Sequence, residues 1–322
     1  MIEKREHIPV LLDCNMTEET AGILFALQRL NHVEVRGISL CFGRTSLASS
    51  HRSLSGLLYL FDWDMPAALG EERPWRRDYL LPVEEADIAG AINGLQIDTD
   101  SLCPVSDLDG ADFLYRKLLE MDELNVGKAK ILCAGPLTNL AVLLERHPDA
   151  RGYIDEIIWC GGTQRHASLQ IVKDYHTYLD PEAAQFVLEQ HLNFTMCPVD
   201  AGVCSCIYQS EIDSRMRETA PILHQYNRLL KKRWCDGNAE LPIGQRTRPL
   251  PLPELAAVTA LALPHLCRKE PVYGEVDLKG RLTFGMLVID INNRLEHTQA
   301  EKNINWVTDV DREALIHRLY LD

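Results

Sequence analysis

A chain of 322 residues, 46% hydrophobic and 25% charged, has the composition of a globular protein with a sizeable core, and its length allows one α/β unit or two domains. A formal net charge of −14 argues against a nucleic-acid backbone as partner, which calls for clustered Lys and Arg, and fits a neutral or metal-bound small ligand. No apolar run approaches a membrane span, and Met1 to His7 lacks the pattern of a secretion signal, so a cytoplasmic chain is expected, its ten scattered cysteines reading as reduced thiols rather than zinc ligands.

The first apolar run, Ile8 to Leu12, is short and branched enough for a buried strand. Polarity changes at Asp13, and 13–20 reads as a loop. Apolar residues return at Ala21, Leu24, Phe25 and Leu27, the spacing of one helical face, with Thr17 as N-cap and Glu18 and Glu19 at the positive end of the helix dipole. A strand that delivers polar side chains into a helix N-terminus is how an open α/β sheet builds a ligand site. The plan repeats: 33–40 predicts a second strand, 41–45 its loop and 46–60 a helix. Residues 63–82, rich in Pro, Arg and aromatics, read as an irregular connection. A helix is expected over 112–119, strands over 129–133, 153–160 and 193–200, a charged, solvent-facing helical cap within 210–250, a hairpin over 272–292 and a last helix from Asp311.

Several ordered motifs give the chain a resemblance. Asp13-Cys14-Asn15-Met16-Thr17-Glu18-Glu19-Thr20, Gly135-Pro136-Leu137-Thr138-Asn139, Asp174-Tyr175-His176 leading into Asp180-Pro181-Glu182-Ala183-Ala184, and Pro253-Glu254-Leu255-Ala256 together resemble the inosine-uridine-preferring nucleoside hydrolases, from about Ile8 to Leu321. The resemblance implies an α/β fold with a mostly parallel central sheet flanked by helices, read here as one domain over 1–322. It also implies a small ribose-containing ligand, a homo-dimer or homo-tetramer, and hydrolysis of N-glycosyl bonds by water activated on calcium.

The family's opening motif, Asp-x-Asp-Pro-Gly-x-Asp-Asp, keeps its first Asp as Asp13, but its later acids fall on Asn15, Glu19 and Thr20. The metal-binding Asp near the C-terminus becomes Glu254, and a backbone carbonyl ligand falls on Ala134. Arg44 stands where the family has an Asn against the ribose, Ala89 where it often has a His, and Asp174 and His176 replace its sugar-holding Glu and Asn. Cys160 precedes Gly161-Gly162 at another strand end. Asn15 has no proton affinity near neutrality and cannot be a general base. At the ligating positions Asn15, Thr20 and Glu254 only one formal charge remains, too few for firm calcium binding.

The expectation is therefore a nucleoside-hydrolase-like protein that has lost calcium-dependent hydrolysis and keeps a ligand-binding or regulatory role. No cofactor is expected, and Asn15, Arg44, Asp174, His176 and Cys160 are the ligand-binding candidates. The alternative is an active N-ribosyl hydrolase with Asp13, Glu19 or Glu254 in rearranged catalytic roles. Each candidate also has a plain structural reading: Asp13 as a loop or helix cap, Glu19 in a salt bridge, His176 as a hydrogen-bonded pocket histidine, Glu254 as a helix N-terminal carboxylate. Arg44, on the loop beside the first strand, can reach the Asp13–Glu19 loop and supply the counter-charge that a metal would otherwise bring; it could equally point to solvent or read a phosphate.

Overall fold

The apolar runs become strands of one sheet in a computed structural model that describes residues 7–78, 92, 95, 101–164, 174–217, 220–239, 247–294 and 301–320. In chain order the strands are β1 (Ile8–Cys14), β2 (Val33–Leu40), β3 (Ala67–Leu69), β4 (Ala129–Ala134), β5 (Ile154–Cys160), β6 (Phe194–Cys197), β7 (Cys267–Val276), β8 (Leu287–Asp290) and β9 (Ile304–Val310). They lie in the order β3-β2-β1-β4-β5-β6-β9-β7-β8. Pairing is parallel from β3 to β9, and β7 runs antiparallel to both β9 and β8. β1 is buried along nearly its whole length, as a strand covered on both faces must be. Val10 and Leu12 enter one core cluster and Leu11 the other, following the two-residue alternation of a strand.

The helices are α1 (Glu18–Gln28), α2 (Leu47–Phe61), α3 (Gly110–Glu123), α4 (Thr138–Arg146), α5 (Tyr175–Leu179), α6 (Pro181–Leu188), α7 (Ala201–Cys204), α8 (Gln209–Arg215), α9 (Pro221–Ala239), α10 (Pro253–Ala262) and α11 (Arg312–Tyr320). α1, α2, α9 and α10 cover one face of the sheet, and α3, α4 and α6 the other. Thr17 caps α1 as its sequence predicts, its hydroxyl accepting from the Thr20 N–H. The chain passes from β1 outward to β2 and β3, then returns to the other side of β1 as β4. That reversal opens a crevice at the carboxyl ends of β1 and β4, where open α/β sheets place ligands.

Two of the sequence motifs hold this frame together. Thr138 donates to Asp180 Oδ2 at 2.6 Å, the same oxygen that accepts the Trp75 N–H, while Asp180 Oδ1 caps α6 through Ala183 N. Asn139 donates to Asp13 Oδ1 at 2.7 Å, Ser39 Oγ at 2.9 Å and Leu40 O at 3.1 Å, and accepts from Glu71 N at 2.8 Å. One amide thus ties β1, β2 and the exit from β3 to the start of α4.

Three expectations need correction. Residues 67–69 form an edge strand inside the stretch read as irregular, because Ala67 and Ala68 are small enough to be buried beside β2. β9 was not anticipated; it lies between β6 and β7 and completes the sheet. The cap region holds α8 and α9, and α9 meets solvent on one face only: Lys232, Cys235 and Asp236 are exposed, while Leu223, Tyr226, Leu229, Leu230 and Trp234 are buried, with Tyr226 stacked on Phe25 of α1 at 5.1 Å. Ala89 lies outside the described residues.

Candidate functional site

The crevice holds a cavity of about 180 Å³ that includes Glu19, Arg44, Ala134, Asp174, His176 and Glu254 in its lining. Loops at the carboxyl ends of β1, β2, β4 and β5 and the first turn of α10 bring these residues together. Of the sequence-predicted set, Thr20 and Cys160 also line it, whereas Asp13 and Asn15 do not.

Asn15 is turned inward and fully occupied. Its Nδ2 donates toward Cys41 O at 3.1 Å, Thr45 O at 3.0 Å and Ser50 Oγ at 2.9 Å, and its Oδ1 accepts from Thr45 N and Thr45 Oγ1, both at 3.2 Å. Two carbonyl acceptors on one side and a backbone donor on the other fix the amide's orientation. Gly43 leaves the room for it, since a Cβ there would fall on the amide. Asn15 therefore pins the β1 loop to the β2 loop and does not reach a ligand as expected. The Thr20 hydroxyl donates to Asn15 O at 2.7 Å. The Ala134 carbonyl accepts from Asn15 N at 3.0 Å.

Asp13 sits beneath the site rather than in it. It is fully buried, accepts from Ser39 Oγ and Asn139 Nδ2 on Oδ1, and has no partner on Oδ2. Burial pushes its carboxyl up to about 6, against the two hydrogen bonds that favour the charged form. Its tentative catalytic assignment would need contact with the cavity, which this placement denies.

The decisive group is Arg233, which the sequence reading overlooked. It projects from α9, keeps only 10% of its side chain exposed, bonds Glu254 Oε1 through Nη1, and places Nη2 at 3.8 Å from Glu19 Oε1. Burial works against the guanidinium's charge, but Glu254 and Glu19 more than offset it and raise its pKa above the ordinary value. Burial likewise raises the Glu254 carboxyl, and Arg233 pulls it back; a carboxyl bonded to a group that never loses its proton is best described as a carboxylate. For Glu19, burial is outweighed by Arg233 and then Arg44, and the carboxyl is held down to about 2. A group that acidic is ionised near neutrality and a weak general base.

The ion pairs expected of Arg44 are thus made by Arg233, and Arg44 adds only a longer-range pull on Glu19. Arg44 is exposed at the cavity, lies 5.4 Å from the centroid of the Tyr175 ring, and forms no ion pair among the described residues. Arg233 was detectable in principle. It continues the buried row Tyr226, Leu229, Leu230 at helical spacing, so a charged residue falls on an apolar face.

Asp174 caps α5, its Oδ2 accepting from Thr177 N at 2.8 Å and Thr177 Oγ1 at 2.7 Å. His176 Nδ1 meets Cys160 O at 2.8 Å; the carbonyl can only accept, so Nδ1 carries the proton. The Cys160 thiol is raised well above its usual range, first by burial and then by Glu254, Asp174 and Glu19, so it offers no thiolate. Cys14 and Cys41 are buried and do not line the cavity.

Comparison with known proteins agrees with this frame. Residues 10–317 match the family described as inosine-uridine preferring nucleoside hydrolase. The chain belongs to that family. It is 22% identical to the pyrimidine-specific ribonucleoside hydrolase RihA of Klebsiella pneumoniae subsp. pneumoniae over 97% of both chains, and 24% identical to the non-specific ribonucleoside hydrolase RihC of Klebsiella pneumoniae over 89% of this chain and 90% of that one. In structure it is similar to an inosine-guanosine nucleoside hydrolase (TM-score 0.83, 21% identity, 97% and 98% covered) and to the plant nucleoside hydrolase PpNRh1 (TM-score 0.82, 18% identity, 98% and 99% covered).

The residues present do not fit the calcium ion that the family implies. Calcium takes six to eight oxygens and favours charged ones. Here the Asn15 amide is committed elsewhere, Thr20 offers only an uncharged hydroxyl oxygen, and one oxygen of Glu254 is held by Arg233. Among the described residues, no group of three or more His, Cys, Asp and Glu side chains could hold a metal ion.

Two stability measurements check this geometry. Asn15→Asp would turn a carboxylate oxygen toward the Cys41 and Thr45 carbonyls, and urea unfolding should show a loss of about 3 kcal/mol; an unchanged midpoint would contradict the inward placement. Arg233→Met leaves Glu254 buried and unpaired and should cost about 3–5 kcal/mol, while adding Glu254→Gln should recover most of that loss. Additive losses in that double-mutant cycle would show that the two groups do not interact.

Proposed function

We propose that this family member binds a small ligand in the β1–β4 crevice and has given up calcium-dependent N-ribosyl hydrolysis. The observation that carries the reading is the Arg233 guanidinium bonded to Glu254, the single carboxylate left at a ligating position of the motif. A fixed organic cation satisfies part of that carboxylate's charge, but it brings no water whose pKa it could lower. The other chemical groups of the family motif are also missing: Asn15 cannot accept a proton, and Glu19 is too acidic to be an effective base. Losing a general base alone costs on the order of 10²- to 10⁴-fold in rate.

A second reading is metal-independent hydrolysis of a ribonucleoside, the substrate class in the names of RihA and RihC. It is favoured by His176, whose Nδ1–H is anchored on Cys160 O, leaving Nε2 as the acceptor nitrogen of a residue that lines the cavity. Inosine and uridine turnover, measured with calcium added and with calcium chelated, separates the readings. Neither condition should give turnover within a thousandfold of the common enzyme value of about 10 per second. Calcium-stimulated turnover within tenfold of that value would overturn the proposal, and calcium-independent turnover abolished by His176→Gln would establish the second reading.

A further inference from the structure

The sheet ends at β3, and the surface around that edge is unusually apolar. Among the described residues eight large apolar side chains are exposed, and four of them, Tyr59, Leu102, Leu108 and Leu124, gather here. They line three grooves, of about 630, 290 and 320 Å³, that run into one another. The first shares Pro104 with the second and Asp64 and Met65 with the third, and the second and third share Pro66, Lys117 and Glu120. Single exposed apolar residues need no explanation, but a contiguous set marks an interaction surface. Trp63 and Met65 lie half-buried in it, and aromatic and Met side chains are enriched where proteins meet.

Strand addition is not what this edge offers. β3 is only Ala67–Leu69, and the Ala67 carbonyl already accepts from Ser106 N at 2.8 Å. A partner must dock on side chains, and their charges are divided. Asp62 and Asp64, beyond the end of α2, are exposed and form no ion pair among the described residues. Arg116 on α3 is 66% exposed and stands 3.7 Å from Glu120, a carboxylate that Lys117 already holds at 2.7 Å. Arg36, on the same face, is spent on Glu34 at 2.7 Å.

One side of the face thus presents acids without a cation and the other a guanidinium without a close partner. A docking surface of a single sign would be repelled by one of them. A second copy, turned about an axis near Met65 and Pro66 where the grooves meet, sets each side against its opposite. Two chains of net charge −14 repel at long range, so association depends on such a local match.

We infer that this face joins two copies of the chain about a two-fold axis, with Tyr59 and Leu124 in its apolar part and Arg116 of each copy against the Asp62–Asp64 pair of the other. The inference does not involve the crevice, so it is independent of what the crevice binds and of whether it turns over a nucleoside.

A charge swap tests it, using only exposed side chains. Sedimentation equilibrium of the full chain at neutral pH and about 0.1 M salt should show a dimer. Arg116→Glu and Asp64→Lys should each raise its dissociation constant about tenfold or more, since each reversal sets like charges together twice in a symmetric interface. The two substitutions in one chain should bring it back to within about threefold of the original value. A chain that stays monomeric up to about 100 μM, association that neither reversal weakens, or a double variant no tighter than the single ones would each overturn the inference.

Discussion

A buried guanidinium–carboxylate pair, Arg233 with Glu254, governs what the rest of this site can be. Desolvating Arg233 and Glu254 costs several kcal/mol per ion, and the attraction between them repays it only while both stay in place. Arg233 therefore fixes α9 against α10 through Glu254 and against the start of α1 through Glu19. Gly22 of α1 accommodates the arrangement, since a Cβ there would lie 3.1 Å from Glu254 Oε1. The position of the cap helix and the chemistry of the cavity floor are thus set by the same contact. A cation supplied by the chain cannot dissociate, so this crevice has a fixed charge where a metal site has a variable one.

The frame of the family persists here because its most recognisable motifs are structural. Asp180 and Thr138 join two loops by a buried hydrogen bond, and Asn139 joins three chain segments. Any change at these residues would strand buried polar groups, at about 1–3 kcal/mol each. Asp13 belongs to this set: it receives Ser39 and Asn139 and has no place in the cavity wall. Asn15 joins this structural set as the link between the β1 and β2 loops.

Much of this was legible in the sequence. The apolar runs of β1, β2, β4 and β5, the Thr17 cap and the motif order announced the sheet, the polar loop that ends its first strand and the family. The chemical deficit at Asn15 and Thr20 could be read from residue type alone, because an amide and a hydroxyl carry no charge. Direction was harder to read: nothing local says that the Asn15 amide faces Thr45 rather than the cavity. β3 escaped because three residues flanked by Pro and Gly carry no period. Arg233 escaped because it sits in a run of basic residues, Lys231-Lys232-Arg233, that reads as a solvated face. Its helical phase with Tyr226 and Leu230 was the signal, and its partner Glu254 is distant in the chain.

The account turns on whether Arg233 has displaced the metal, and calcium binding tests that most directly. Calorimetric titration of calcium into the chelator-treated protein should give no saturable heat up to about 10 mM, well above the range of built calcium sites. One-site binding in the micromolar range or tighter, abolished by Glu254→Gln, would contradict it.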